Sequence, residues 1–370
     1  KGFIPRGKTE IPQTEYLLTQ VNVIRTYLRL LLFPVNQNLD YDYPLTKSIN
    51  NFPTVISLFL HIALLCISYL LRKKNRLISF GILFFYITLS IESIVPLEDV
   101  IKEHTLYLPS IGYFIVFSSV CFWIYEVVGS YIRQRNFRTV YQYICLFMIC
   151  FLLFLNGILA YKRTLVWQSE ITLWKDVVQK SPMKDRPRIQ LGVTYLLQGE
   201  LEQAKFQFES LIKNNPQNLI GYSNLSVIYT NQGNFEKAYE LLNTALNIDI
   251  SSQMIWNNLG YLYENRGEDN LAIQAYQSGL SYKSTDAIGL ANTHTNLGTL
   301  YAKQGKLELA FDQFQKAIEI YPGFARGHYS IGVAYMYYGK KEDAKREFLE
   351  TLKIDPNFEQ AKVFLDKINK

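Results

Sequence analysis

Cysteine is scarce in this 370-residue chain: there are four, Cys66, Cys121, Cys145 and Cys150. All fall within long apolar runs, where they read as small apolar fillers, and the rest of the chain holds no disulfide to report its compartment. A phosphate-cradling glycine loop, a metal-ligand cluster and a nucleophile elbow are missing, which removes the commonest sequence signatures of P-loop, metal-dependent and serine-hydrolase chemistry. No basic patch stands out either. The 38 Lys and Arg exceed the 32 Asp and Glu by +6, spread over loops and repeats, and nucleic acid is not expected as a partner. The chain opens at Lys1 with neither an initiator Met nor a signal peptide.

What is present is a ladder of recurring residues in the second half. Leu-Gly or a close variant falls at Leu191-Gly192, Leu225-Ser226, Leu259-Gly260, Leu297-Gly298 and Ile331-Gly332. Tyr195, Tyr229, Tyr263, Tyr301 and Tyr335 follow, then Gly199, Gly233, Gly267, Gly305 and Gly339, then Ala204, Ala238, Ala272, Ala310 and Ala344. The spacing is 34 residues with one step of 38, the period of the tetratricopeptide repeat, a pair of antiparallel helices. Each landmark has a cause. The small residue beside the leucine lets the two helices approach. The second glycine ends the first helix in a left-handed conformation that costs it nothing, and the alanine is the contact point of the second helix. Pro216, Pro322 and Pro356 close their units; Ile250 and Ser284 stand there in the second and third, whose ends should be softer. The expected repeats are 185–218, 219–252, 253–286, 291–324 and 325–358, with a longer inter-repeat loop near Asp286–Leu290 and a capping helix over 359–370.

The first half is of opposite character, and the mean hydropathy of zero is an average of the two. Four apolar stretches, 52–71, 77–95, 111–128 and 141–160, approach the roughly 20 residues that cross a hydrocarbon core. Tyr86, Trp123, Tyr125 and Tyr141 suit interfaces. The fold class expected is therefore all-α: a multi-span transmembrane helix bundle followed by a tetratricopeptide α-solenoid, joined by a connecting helix over 161–184. Arg72, Lys73, Lys74 and Arg76 lie between the first two spans, and Arg133, Arg135 and Arg138 between the last two. Basic loops stay cytoplasmic, which puts residues 1–51, 96–110 and everything after Ala160 on the non-cytoplasmic side, in a periplasm, cell exterior or secretory lumen. A first segment outside the membrane implies further spans upstream of Lys1. Residues 16–35 within the 1–51 segment read as an interfacial helix rather than a fifth span, because Arg25 and Arg29 sit at i, i+4 with Gln20 and Asn22 nearby. Glu92 and Glu126 lie near span ends, and His61 reads as a packing histidine.

Two polar segments meet the same expected membrane face. Asp40 and Asp42 lie in the first, over 38–44; Lys102, Glu103 and His104 lie in the second, over 96–110. Carboxylates there suit a general base or a divalent cation, and Lys or His suits a phosphate; solvated loop residues are the plainer reading. The runs Tyr27-Leu28-Arg29-Leu30-Leu31-Leu32-Phe33-Pro34, Asp40-Tyr41 and Glu103-His104-Thr105-Leu106-Tyr107-Leu108-Pro109-Ser110-Ile111-Gly112 resemble a known family, as do Arg163-Thr164-Leu165-Val166-Trp167 and Leu173-Trp174 ahead of the repeats. The chain resembles the transmembrane-and-tetratricopeptide protein O-mannosyltransferases and their bacterial relatives, over its whole length and in the same order. The resemblance implies the C-terminal portion of a polytopic C-type glycosyltransferase. Such an enzyme moves a sugar, mannose in this family, from a polyprenyl or dolichyl phosphate to protein Ser or Thr on the non-cytoplasmic side. Its principal acidic motif lies in an earlier external loop, so the catalytic base is expected upstream and this chain alone is expected to be inactive. The family often has a basic residue where this chain has Thr105, which leaves phosphate binding to His104, Lys102 or upstream residues.

The residue before each repeat leucine reads Gln190, Asn224, Asn258, Asn296 and Ser330. Asn224, Asn258 and Asn296 form a row whose amides suit an extended peptide, similar to the asparagine row of the nucleocytoplasmic O-linked N-acetylglucosamine transferase. The lysine clamp of chaperone-binding repeats is not evident: Ile189, Val193, Ser223 and Val227 occupy its positions. The partners expected are a polypeptide on the repeats, the bilayer and a polyprenyl-phosphate sugar. Two alternatives stand beside the transferase: a membrane-anchored scaffold without catalysis, and a polymerase or ligase of lipid-linked glycans.

Overall fold

The computed structural model describes residues 11–94, 99–131 and 135–368. They fall into two compact units that meet within one helix, between Thr194 and Tyr195.

The first unit is organised around a helix that carries its polar residues inward. Helix α1 spans Gln13–Leu32. Tyr16, Val23, Tyr27 and Leu30 recur at helical spacing and are buried with Phe85, Leu89, Val100, Ile101 and Leu106. Gln20 and Asn22 are buried as well, and burial obliges each to find partners. Gln20 Nε2 donates to the Val100 carbonyl at 2.8 Å. Asn22 Nδ2 donates to Thr54 Oγ1 at 2.8 Å and Thr46 Oγ1 at 3.1 Å, and Ser57 Oγ donates back to Asn22 Oδ1 at 2.8 Å. Two of the four residues cited for an interfacial helix, Gln20 and Asn22, thus face protein. Arg25 and Arg29 stay partly exposed, and Arg29 Nη1 donates to the Val35 carbonyl at 3.1 Å.

Helices α2 (Phe52–Leu71) and α3 (Arg76–Ile94) follow. A 3₁₀ turn over Glu103–Leu106 leads into α4 (Tyr107–Tyr131), and α5 runs unbroken over Arg135–Val166. Among the described residues, three stretches are long and apolar enough to cross a membrane: Phe52–Leu71, Glu103–Tyr131 and Thr139–Val166. The expected span 77–95 coincides in position with α3, Arg76–Ile94. Against α4 it packs backbone to backbone: a Cβ at Gly81 would stand 2.6 Å from the Gly112 carbonyl oxygen, which is closer than any side chain allows. His61 on α2 has Nδ1 2.8 Å from Tyr86 Oη and Nε2 2.9 Å from the Val21 carbonyl, a packing histidine with both nitrogens partnered.

The connecting segment is not one helix. Its first part belongs to α5; then Ser169 and Thr172 cap each other's backbone, and α6 runs over Glu170–Lys180. Helix α7 (Asp185–Leu197) opens the repeats and contains the boundary between the units.

The second unit is a run of helix pairs: α8 (Leu201–Asn214), α9 (Leu219–Asn231), α10 (Phe235–Ile248), α11 (Gln253–Asn265), α12 (Asp269–Ser281), α13 (Ala287–Lys303), α14 (Leu307–Ile320), α15 (Ala325–Tyr337), α16 (Lys341–Ile354) and α17 (Glu359–Ile368). Gly199, Gly233, Gly267, Gly305 and Gly339 all have φ between 69° and 77°. At each, the amide after the glycine returns to the carbonyl of the ladder tyrosine, as from Lys306 to Tyr301 at 2.9 Å, which is a Schellman closure. The ladder alanines are buried throughout. The 38-residue step is not a longer loop: it is an extra turn at the start of α13, capped by Asp286 Oδ1 accepting from the Gly289 amide at 3.0 Å.

Two substitutions separate backbone conformation from packing. Gly305→Ala, at φ +74°, should cost about 1 kcal/mol. Gly298→Val, whose Cβ would meet Phe314 Cε1 at 2.6 Å, should cost about 1–3 kcal/mol. Urea unfolding of the full chain, read by the far-ultraviolet signal of the repeats, checks the order.

Candidate functional site

The described residues line a cavity of about 640 Å³ in the first unit, between the segment after α1, the turn before α4, the end of α5 and the start of α7. Its walls differ. Leu30, Leu31, Pro34, Leu106, Tyr107 and Phe114 supply apolar surface; Asp99, Lys102, Glu103, His104, Arg163 and Arg186 supply charge and polarity.

The turn carrying Lys102, Glu103 and His104 is seated on one hydroxyl. Tyr27 Oη accepts from the Lys102 amide at 2.9 Å, stands 3.0 Å from the Lys102 carbonyl, and accepts from Thr105 Oγ1 at 3.0 Å. Thr105 also donates to the Lys102 carbonyl at 2.8 Å, so its side chain serves the turn. Glu103 Oε1 accepts from the Asn38 amide and from Tyr41 Oη, both at 2.6 Å. Burial, reinforced by the Glu103 carboxylate, raises the Tyr41 phenol well above its ordinary value, and it remains the donor in this pair.

The segment after α1 is fastened to the end of α6. Ser181, fully buried, accepts from Asn38 Nδ2 at 2.8 Å and from the Asp42 amide at 2.9 Å, and donates to the Asp40 carbonyl at 2.7 Å. Lys180 Nζ donates to the Gln37 carbonyl at 2.6 Å. The Asp40 carboxylate is buried: Lys184 Nζ lies 2.5 Å from Oδ1, and Arg186 Nε lies 2.8 Å from Oδ2 without aiming its N–H at it. Arg186 Nη1 reaches Asp99 Oδ2 at 3.3 Å, and Lys184 lies 3.8 Å from Asp99 Oδ1.

The residues singled out in the sequence therefore separate. Lys102, Glu103 and His104 come together on the cavity wall. Asp40 does not join them; its carboxylate is the anchor of Lys184 and Arg186. Asp42 is exposed and contributes its amide to Ser181. With Asp40 held by cationic side chains, no group of three or more His, Cys, Asp or Glu is poised for a metal ion among the described residues. Arg163, Trp167, Ser181, Lys184 and Arg186 enter the site from outside the two polar segments. The Arg163–Trp167 run is conspicuous in the sequence, but nothing local ties it to a turn some sixty residues earlier.

In the second unit the asparagine row is half-buried. Asn224 Nδ2 donates within its own helix to the Ile220 carbonyl at 2.8 Å; Asn258 Nδ2 donates to Ser223 Oγ at 2.7 Å; Asn296 Nδ2 donates to Asn257 Oδ1 at 3.3 Å. The last two pin successive first helices together, and the three side-chain carbonyls accept no hydrogen bond among the described residues.

Removing the buried anchor should destabilise the first unit. Asp40→Asn leaves Lys184 and Arg186 facing a neutral amide and should cost about 2 kcal/mol, discounted for their exposure; thermal unfolding in detergent reads it. Because folding raises the Tyr41 pKa, its contribution is complete below its ordinary value near 10 and is lost as pH rises through the folded value. Tyr41→Phe should flatten that alkaline decline in melting temperature.

Comparison with known proteins addresses the repeats. Two tetratricopeptide-repeat profiles match, over residues 189–255 and 251–323. No curated protein matches the chain. Among solved structures, a crystal structure of MamA is 25% identical and aligns over 46% of this chain and 97% of its own, with a TM-score of 0.36. Pseudomonas aeruginosa PilF is 18% identical over 50% of this chain and 82% of its own, TM-score 0.44. YrrB, described as a tetratricopeptide protein with an unusual peptide-binding site, is 20% identical over 51% and 95%, TM-score 0.34. Residues 189–323 are tetratricopeptide repeats, a module through which proteins bind peptide or protein partners.

Proposed function

We propose that this chain is the donor-cavity and acceptor-recruiting portion of a membrane glycosyltransferase. In this reading a sugar, mannose in the family resembled, passes from a polyprenyl or dolichyl phosphate to Ser or Thr hydroxyls on the non-cytoplasmic side, while the repeats hold the polypeptide. In this reading the three long apolar stretches and α3 cross the membrane, and α1 packs against α2 and α3.

The observation that carries the reading is the two-faced cavity. A lipid-linked sugar has an apolar chain, a phosphate and a polar sugar, and the cavity offers Leu30, Leu31 and Phe114 beside Lys102, His104 and Arg186. Cationic groups aimed at the phosphate stabilise it as the glycosidic bond to it breaks and the acceptor oxygen takes its place. The turn that bears the family-like motif is also the turn that walls the cavity. Glu103 has one oxygen fixed by Tyr41 and Asn38, which suits it to orient the sugar more than to take the acceptor proton; the general base belongs to the earlier acidic loop of the family. On the repeats, the carbonyl oxygens of Asn224, Asn258 and Asn296 are the groups left to receive the N–H groups of an extended polypeptide.

A second reading, a membrane-anchored scaffold without catalysis, draws on the repeats alone and leaves the cavity unexplained. A polymerase or ligase of lipid-linked glycans would use the same cavity with a saccharide acceptor in place of the polypeptide.

The protein expressed from its full-length gene should transfer labelled mannose from polyprenyl phosphate-mannose to membrane-protein acceptors. Glu103→Gln and His104→Ala should each lower transfer at least tenfold with the protein still folded, and Asn258→Ala should raise KM for the polypeptide with kcat preserved. Absence of transfer by the unaltered protein would sink the transferase and leave the scaffold.

A further inference from the structure

The first helices of the repeats share one polar face. On α9, α11, α13 and α15 the positions beside the asparagine row are spaced four, three and four residues apart, over 220–231, 254–265, 292–303 and 326–337. Successive first helices pack on one another, so the four stripes adjoin. None of these residues is buried, and none is Asp or Glu.

The hydrogen bonds on this face run in one direction. Asn265 Nδ2 donates to the Tyr261 carbonyl at 2.8 Å, and Asn292 Nδ2 to the Ile288 carbonyl at 3.1 Å. Asn224, Asn258 and Asn296 likewise turn their nitrogens to the protein. The hydroxyls do the same. Thr299 Oγ1 donates to the Thr295 carbonyl at 2.8 Å, Ser330 Oγ to the Arg326 carbonyl at 2.9 Å, and Tyr261 Oη to Asn231 Oδ1 at 2.8 Å. The side-chain oxygens of all these donors accept nothing among the described residues. Charge is sparse: Lys303 is held by Asp269 at 2.8 Å, Arg326 lies in the last repeat, and Glu264, next to Asn265, is engaged by Tyr276 Oη at 3.1 Å.

A face that offers oxygens calls for a ligand that brings donors. A helix or the interior of a sheet has already spent its N–H groups. An extended, unfolded segment presents one to the same side at every second residue, and Ser or Thr hydroxyls add more. Proline brings no N–H. A Lys or Arg would lose water without gaining a carboxylate, and a carboxylate would set lone pairs against lone pairs.

We propose that this face selects a donor-rich polypeptide segment: unfolded, extended, uncharged, rich in Ser and Thr and poor in proline. About ten residues at ~3.3 Å each cross four first helices spaced roughly 10 Å apart. Such a segment is available before its own domain folds, which places recruitment ahead of folding. The proposal rests on the repeats holding a polypeptide and is independent of the transfer reaction.

The test uses the full chain purified in detergent and labelled peptides of about ten residues built from Ser, Thr and Val, read by fluorescence anisotropy. One analogue replaces the central amides by esters, which removes N–H donors and keeps the chain; another places Lys at alternate positions. The parent peptide should bind at least tenfold more tightly than either analogue, and added salt should change its binding less than twofold. The double variant Asn265→Ala, Asn292→Ala should weaken the parent at least fivefold and leave the ester analogue within twofold. Both asparagines bond only within their own helices, so the repeats keep their packing. If the ester or the lysine analogue matches the parent within twofold, or if only a folded acceptor protein binds, the inference is overturned while the recruiting role stands. If neither the peptides nor an acceptor protein binds, both fall.

Discussion

The first unit depends on one buried carboxylate and the hydroxyl beside it. Asp40 draws in Lys184 and Arg186, and Ser181 ties the backbone around Asp40 to the end of α6. Through these bonds a segment after α1 and a segment some 140 residues later become one wall. A charge so deeply placed is tolerated only because its partners are numerous, which makes the arrangement all-or-none: loosening any member strands the rest. The cavity inherits its shape from this. Gln37 and Asn38 are held on one side by Lys180 and Ser181, Glu103 by Asn38 and Tyr41 on the other.

The second unit is built on a different economy of contacts. Each repeat carries a buried leucine or isoleucine, a small residue beside it, a left-handed glycine and an alanine in fixed order. Positive φ at five successive turns and burial of five successive alanines are the same solution found again. Polar ties then run between neighbours: Lys303 to Asp269 at 2.8 Å and Gln304 to Asn270 at 3.1 Å, both across 34 positions. Their energy is small at the surface, and both join the end of α13 to the start of α12 in the preceding unit.

How much of this was legible in the sequence follows from the range of the forces involved. The repeat turns were, because Gly199, Gly233, Gly267, Gly305 and Gly339 answer to a local steric rule that needs no tertiary information. The long apolar helices were, because length and composition suffice. The fate of Gln20 and Asn22 was not: on a helix wheel they look like a wet face, and only contact with Val100, Thr46 and Thr54 reveals them as buried. The same holds for the site. Lys102, Glu103 and His104 are adjacent in sequence and line one cavity; Arg163 and Arg186 line it as well, from parts of the chain that no local pattern connects to them. Asp40 resembled a reactive acid by its company in sequence and is a structural one by its company in space. The step of 38 residues was read as slack in a loop, whereas the chain made helix of it, since Asp286 provided a cap where the extra residues began.

That added turn has a consequence for how the array can change over evolutionary or laboratory time. Growth at the front of α13 leaves the register of every later residue untouched, so Thr295, Leu297 and Leu300 remain buried as in a unit of ordinary length. Gln253 Nε2, at the head of α11, bonds both the Gly289 carbonyl and Thr293 Oγ1, welding the added material to the preceding unit. Helix starts are thus the seams where such a solenoid accepts new residues, and a graft at this seam would alter the outline of one unit without retuning its neighbours.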